Sequence, residues 1–360
     1  MSKVYFTDMR TSFTENLPKK LTRLIDRAGL GTIDFDHKFV AIKIHFGEMG
    51  NLAYLRPQYA RALAAYIKER GGLPFLTDCN TLYVGSRKNA LEHIETAYIN
   101  GYTPYATGCQ VIIADGVRGT DEAYIPIGCE EVKTAKIGRA IADADIIISL
   151  NHFKGHEDAG FGGALKNLGM GSGSRAGKME MHYDGKPVVD ACRKCATICA
   201  NDGIHYESSK AVIDYDNCVG CGRCIAICSF NAIKPHNSSS AASLNRRIAE
   251  YAYAVVKDKP NFHISIAADI SPNCDCHPEN DAPIVPNIGM FASFDPVAID
   301  LAAADAVNAM PANPRSALSE AECRCHDHFI NVHPNTNWRV QIEHGEEIGL
   351  GSSEYELIRI

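Results

Sequence analysis

From Met1 to about Lys178 the apolar positions alternate between two periods. Strand-like runs at Phe39 to His45, Pro74 to Thr77, Val111 to Ala114 and Asp145 to Leu150 alternate with stretches of helical periodicity at Pro57 to Arg70, through Glu92, and at Val132 to Ile141. Strands separated by helices predict an α/β fold, with a mostly parallel sheet and helices on both faces. The rhythm breaks between about Lys186 and His236. There two cysteine-rich segments flank IHYESSKAVIDY, which reads as a hairpin turning at Ser208 and Ser209. The expected organisation is a first α/β part over 1–185, a small inserted domain over 186–236, and a second α/β part over 237–360. Asn237 to Ser243 reads as a polar linker. Beyond it the pattern predicts a helix over Leu244 to Val256, a strand over His263 to Ala268, and helices over Asp295 to Asn308 and Ser316 to Phe329.

Composition narrows the classes. The 360 residues are 46% hydrophobic and 22% charged, enough apolar matter for a sizeable core and too much for a disordered chain. A net charge of -7 supplies no basic field for a nucleic-acid backbone. Apolar runs such as Ile146 to Ile148 are far shorter than the roughly 18 residues that span a bilayer, and MSKVYFTDMRTS has no apolar core of a signal peptide. A cytoplasmic protein without nucleic-acid or membrane partners is expected. Its 14 cysteines should then be reduced thiols, which more often bind metal than form disulfides.

The segment CVGCGRCIAIC places Cys218, Cys221, Cys224 and Cys228 at the CxxCxxCxxxC spacing of bacterial ferredoxins. In that arrangement three thiolates grip one cubic cluster, while the fourth ligates a second. A partner motif is therefore expected, and VDACRKCATIC supplies Cys192, Cys195 and Cys199, with Val189 where a first cysteine would stand. Crossed ligation assigns Cys218, Cys221, Cys224 and Cys199 to one complete [4Fe-4S] cluster. Cys192, Cys195 and Cys228 are left for a second cluster, [4Fe-4S] or [3Fe-4S], one ligand short. The insert is thus expected to be a two-cluster ferredoxin-like module of βαββαβ type. A zinc ribbon from Cys192/Cys195 and Cys218/Cys221 is the rival; it leaves three cysteines idle. Two further pairs, Cys274/Cys276 before His277 and Cys323/Cys325 before His326, leave three readings open. One of them completes the short cluster, the pairs build a separate metal site, or they remain unligated thiols. Cys79, Cys109 and Cys129 are expected to pack in the core.

In open α/β sheets ligands gather beyond the carboxyl ends of the strands. The polar residues there are Lys43, His45, Asp78, Asn80, Asp115, Arg118, Asn151, His152, Lys154 and His156. The run AGFGGALKN follows, where Gly160, Gly162 and Gly163 would let backbone approach a ligand. Free N–H groups at the start of the next helix would hold a small anion beside Lys166 and Lys154. His152 and His156 are candidate metal ligands, acid–base groups or plain caps.

The segments KIHFGEMGNLAYLRP, TDCNTLYVGSR, NHFKGHEDAGFGGALKNLGMGSGSRAGKMEMH and SPNCDCHPENDAPIVPNIGMFASFDPVAID, with the doubled cysteine motif, resemble the DUF362 family of iron-sulfur proteins. The resemblance implies a ferredoxin-type module inserted in an α/β domain, and anaerobic hosts. His156 and AGFGGALK also resemble a stretch of nickel-pincer lactate racemases. That distant resemblance implies a shared fold of the N-terminal domain, with Lys166 matching the family's cofactor lysine; no counterpart of its DxTR motif is present.

Two functions are expected from this reading. The first is an iron-sulfur oxidoreductase that passes single electrons to a site lined by Lys43, His45, Asp78, Asn80, Arg118, His152, His156 and Lys166 and acting on a small anionic molecule. The second is a non-catalytic electron carrier or accessory subunit that docks to a redox partner protein in a larger anaerobic complex. Delivery of clusters or metal through the CxC pairs is a third. No GxGxxG follows a strand, so a nicotinamide site is not expected.

Overall fold

The computed structural model describes residues 1–83, 85–182, 187–189, 193–207, 210–224, 233–235, 240–322 and 325–360. One eight-stranded sheet organises the chain. It runs from the edge strand Tyr355–Arg359 through Ser2–Asp8, Gly289–Ser293, Asn261–Ala267, Ile146–His152, Phe39–Lys43 and Leu73–Asp78 to Gln110–Ile113. Five of its seven pairings are parallel; Gly289–Ser293 is antiparallel to both neighbours. The sheet is mixed and mostly parallel, as expected.

Both faces are covered, and strand alternation shows why. Val40, Ile42, Ile146, Ile148 and Leu150 join the apolar layer under the helices Leu17–Arg27 and Pro57–Lys68. Ala41 and Ile147 point the other way, into the layer with Leu165, Leu168, Ile248 and Val297 from the helices Ala164–Ser172, Ala241–Val256 and Pro296–Asn308. On this second face Lys43, Ser149, Asn151 and Ser265 are buried polar residues. They form the approach to the site described below.

Several local expectations change. Val132 to Ile141 is not a helix: Thr134–Gly138 is a strand paired antiparallel with Glu122–Pro126, and only Arg139–Asp143 is helical. Ala135 and Ile137 are buried at a spacing of two, which a helix would send to different sides. The helix expected through Glu92 starts only at Ala90, where the Asn89 side chain accepts from the N–H groups of Leu91 and Glu92. The strand from Phe39 stops at Lys43. The linker Asn237 to Ser243 already contains a helix start, Ala241, capped by Ser240. Ser316 to Phe329 divides into Ala317–Glu320 and His328–Val332, each with its own side-chain cap from Ser316 and Asp327. In the cysteine-rich segment Ile204–Glu207 pairs antiparallel with Lys210–Ile213, the hairpin that was expected, while its turn at 208–209 lies outside the described residues. Pro187–Val189 pairs with Ile233–Pro235. No described helix is long and apolar enough to cross a membrane.

Candidate functional site

A cavity of about 480 Å³ opens at the carboxyl ends of the parallel strands. Six of the eight expected catalytic residues line it: Lys43, His45, Asp78, His152, His156 and Lys166. Asn80 and Arg118 do not. Asn80 is buried and donates to the Asp115 carboxylate at 2.8 Å and to the Gly116 carbonyl at 2.8 Å, holding the neighbouring turn closed. The Arg118 carbonyl accepts from Arg175.

The cavity floor is a set of buried ion pairs. Lys43 Nζ lies 3.0 Å from Asp78 Oδ1 and donates to Asn167 Oδ1 at 3.0 Å. A Cβ on Gly171 would stand 2.3 Å from that Nζ, so a side chain there would push the lysine away from Asp78. Burial would raise Asp78, but Lys43, His93, His45 and Lys178 together outweigh it and hold the carboxyl well below its usual range. Arg87 reaches Glu48 at 3.0 Å, and Glu48 also accepts from the Ser86 hydroxyl. These charges are matched within the protein and are not free to meet a ligand.

His152 is likewise committed. Its Nδ1 lies 2.9 Å from Asp275 Oδ2 and its Nε2 2.8 Å from the Ala268 carbonyl. With both ring nitrogens engaged it positions the 271–278 loop. That loop carries Cys274, Cys276 and His277, and the Glu48 N–H donates to the Asp275 carbonyl at 2.9 Å.

The strand ends continue as a tight hairpin in which Lys154–His156 pairs with Gly160–Gly162. It brings His156 and Glu157 to the same loop. His156, Cys274 and Cys276 each offer one donor atom, all within 4.8 Å of one another, and this cysteine/histidine group is close enough to hold a metal ion. Glu157, Cys276 and His277 form a second such group. Glu157 and His277 pair at 2.7 Å. Burial would raise Glu157, but His156 and the His277 hydrogen bond bring it down to about 2. Lys166 Nζ stands 3.3 Å from Cys274 Sγ. Burial works against a charged Lys166, yet the two sulfurs raise it above the usual lysine range. A hydrogen bond from the Cys276 thiol, with Lys166 and His156 beside it, holds Cys274 well below the usual thiol range. The same hydrogen bond pushes Cys276 up.

The glycine run does not serve a ligand in the way expected. The N–H groups at the helix start are not free: Ala164 and Leu165 donate to the Asp300 carboxylate at 2.6 and 2.9 Å. A Cβ on Gly163 would meet Asp300 at 2.2 Å, and one on Gly160 would meet Trp338 at 2.8 Å. Gly162 packs beside the Lys166 and Lys154 side chains. Gly160, Gly162 and Gly163 are closely packed, and none lines the cavity.

Of the ferredoxin-type cysteines, Cys195, Cys199, Cys218, Cys221 and Cys224 are described; Cys192 and Cys228 lie outside the described residues. Cys195 and Cys224 are buried in an apolar cluster with Leu82, Met179, Ile204 and Ile213, and Cys199 and Cys218 pack against it. The Gly203 N–H donates to Cys199 Sγ at 3.3 Å, and Tyr206 Oη lies 3.3 Å from Cys195 Sγ. Gly220 and Gly222, with φ of 67° and 66°, fold the loop between the cysteines. Leu82 also lines the cavity, so cavity and cysteine segment share a wall. Among the remaining cysteines, Cys79 and Cys109 are buried, Cys129 is half-buried, and Cys79 also reaches the cavity lining. Cys325 is exposed and donates to Asn331 Oδ1 at 2.9 Å; among the described residues it joins no donor group, and Cys323 lies outside them.

Sequence reasoning missed Glu48, Arg87, Glu157, Asp275, Lys178 and His182. Glu157 follows His156 directly and Asp275 sits inside the CxC pair, so adjacency to chosen residues was the available signal. Arg87 and Lys178 carried none, because each reaches the cavity from a neighbouring loop or helix.

No curated protein matches this sequence. Similar solved structures include the lactate racemase apoprotein from Thermoanaerobacterium thermosaccharolyticum, with 11% identity, a TM-score of 0.41, and coverage of 75% of this chain and 51% of that one. Another is a structural-genomics protein from Thermotoga maritima, with 13% identity, a TM-score of 0.39, and coverage of 80% and 56%. The chain thus spans about half the length of these structures. Residues 40–305 match the profile of DUF362, a domain of unknown function, and the chain belongs to that family.

Proposed function

We propose that the protein is an iron-sulfur protein that moves single electrons between a ferredoxin-type cysteine segment and the strand-end cavity, where a small anionic molecule is the redox substrate. One observation carries the reading: Leu82 belongs both to the apolar cluster around Cys195 and Cys224 and to the cavity lining. A Cβ on Gly222, inside the cysteine loop, would lie 3.0 Å from Leu82 Cδ1 and 3.1 Å from Arg175 Cγ. An electron leaving the segment therefore has one packed side chain to cross. The spacing of Cys218, Cys221 and Cys224 with Cys199 favours one [4Fe-4S] cluster, and Cys192, Cys195 and Cys228 favour a second that is [4Fe-4S] or [3Fe-4S]. Such clusters supply one-electron chemistry when bound.

The α/β body does the rest. Lys178, whose ammonium donates to the neutral Gly173 carbonyl at 2.6 Å, supplies the positive field for an anion on the lining, whereas Lys166 sits beside Cys274, Lys154 beside Asp275 at 3.6 Å, and Lys43 and Arg87 are neutralised by Asp78 and Glu48. His156, whose Nδ1 accepts from the Asp158 and Ala159 N–H groups at 3.1 and 3.0 Å, presents Nε2–H toward the sulfurs. A non-catalytic carrier that docks to a redox partner is the second reading. The cavity favours the first, because a bare carrier has no use for a walled, polar pocket.

The test is an anaerobic redox titration of the full chain, followed by visible absorption and electron paramagnetic resonance, with and without millimolar inorganic phosphate. The expected result is bleaching in one-electron steps and a reduced-state signal that phosphate shifts. Absence of any reduced-state signal would overturn the electron-transfer role, and a phosphate-blind signal would overturn the anion site.

A further inference from the structure

We propose that Cys274 and Cys276 are a redox-active dithiol that cycles with a disulfide in the cavity wall and exchanges with the disulfide bond of a small substrate, in preference to ligating a metal. This deepens the function proposed above and rests on it only for the cellular source of electrons.

Three features of the site favour thiol chemistry. The first is Lys166, whose ammonium lies 3.3 Å from Cys274 Sγ. A cation already seated on the thiolate stabilises it as an anion and repels a divalent metal from the same sulfur. The second is the tautomer of His156. A metal-ligating histidine donates its other ring N–H to an acceptor. Here Nδ1 faces two backbone donors, Asp158 N–H and Ala159 N–H, so the proton sits on Nε2 and that nitrogen donates instead of ligating. The third is the turn. The Cys276 N–H donates to Cys274 Sγ at 3.4 Å and the His277 N–H to the Cys274 carbonyl at 3.1 Å, which folds the backbone so that both sulfurs face each other. In a strand they would point to opposite faces. The two sulfurs differ in access: Cys274 is 1% exposed, whereas Cys276 is partly exposed and lines the cavity. Cys276 is the sulfur a substrate meets; Cys274 closes the ring.

With Lys166 3.3 Å from Cys274 Sγ as counter-charge, the pair is written as one thiolate and one thiol, and the exchange balances on that basis. Cys276 passes its proton to Cys274 and attacks one sulfur of the substrate disulfide. The Cys276–substrate bond forms and the substrate S–S bond breaks. The first leaving thiolate takes the proton from Cys274. The Cys274 thiolate then attacks Cys276 Sγ, the Cys274–Cys276 bond forms, and the second substrate sulfur leaves as a thiolate. The substrate disulfide gains two electrons and the protein pair loses two. Two electrons and one proton from a reductant restore the starting state. A ring closed by cysteines two residues apart is strained, which makes such a bond labile and easily reduced.

The experiment equilibrates the full chain, prepared without oxygen, against mixtures of reduced and oxidised glutathione. Samples are quenched in acid, alkylated with iodoacetamide, digested and weighed. The expected result is that the Cys274–Cys276 peptide passes from doubly alkylated to unalkylated and lighter by two hydrogens, along a two-electron curve. In Cys274→Ser the cycle should stop at a glutathione adduct on Cys276. Lys166→Met removes the cation that favours the reduced form and should shift the equilibrium about tenfold toward the disulfide, about 30 mV. Two results would overturn the proposal: both sulfurs alkylatable at every glutathione ratio, or a bound metal that shields both while no disulfide forms. Iron and sulfide measured on the same samples separate the two readings. Switching without iron sinks the electron-transfer function alone, and full iron without switching sinks the dithiol alone.

Discussion

Two parts of this molecule concentrate cysteine, and they surround it differently. In the cysteine-rich segment Cys195 and Cys224 sit among Leu82, Met179, Ile204 and Ile213, with a backbone N–H aimed at Cys199. At the 271–278 loop a lysine ammonium and a histidine N–H stand against Cys274. Low dielectric and N–H donors suit sulfurs whose charge is shared with iron, whereas a fixed cation suits a sulfur that must remain a thiolate on its own. The contrast teaches that cysteine spacing alone does not assign chemistry; the neighbours decide it.

The largest expected effect tests that contrast through iron content. On the proposed ligand set Cys221→Ser should remove about half of the bound iron, while Cys276→Ser should leave the iron count unchanged. Equal losses in both variants would erase the distinction between the two regions.

A second test uses acid, which should act on the α/β body. Burial holds His93 and His263 at about 3, well below the ordinary histidine value. Folded-state values lowered in this way mean that the unfolded chain takes up the protons first. Their contribution is present in full above about pH 6.5 and is lost as pH falls toward 3, at about 1.4 kcal/mol per pH unit for each histidine. Urea unfolding at pH 7 and pH 5.5 should show that loss, and His93→Gln should flatten the slope. A slope unchanged by His93→Gln would remove this group from the account.

The smallest effect concerns the cavity's supporting helix. Asp300→Ala leaves the Ala164 and Leu165 N–H groups without their acceptor and should cost about 2 kcal/mol, read as a drop of a few degrees in melting temperature. If the N-terminus of that helix were instead a ligand site, the variant would keep its stability and gain affinity for phosphate.

The parallel core was legible because continuous apolar runs such as Val40 to Ile42 and Ile146 to Ile148 mark strands buried on both faces. Residues 132–141 misled because Val132 and Ala135, and Ile137 and Ile141, are spaced by three and four as on a helix face, whereas Ala135 and Ile137 are buried as a strand that pairs back in a hairpin with the preceding run Glu122–Pro126. Lys43, His45, Asp78, His152 and His156, chosen because they follow strand ends, and Lys166, chosen from the helix after the glycine run, line one cavity together. Asn80 and Arg118 satisfy the same rule without lining the cavity: the Asn80 side chain donates to Asp115, and the Arg118 carbonyl accepts from Arg175. The N–H groups after the glycine run meet the Asp300 side chain, 136 residues further along the chain. Tertiary partners of this kind leave no local mark.

The most direct test of the central claim is chemical analysis of iron and acid-labile sulfide per chain in protein isolated without oxygen. About eight of each, or about seven iron where the short site holds three, is the predicted result, with broad visible absorption that bleaches on reduction. Colourless protein with stoichiometric zinc and little sulfide would contradict it.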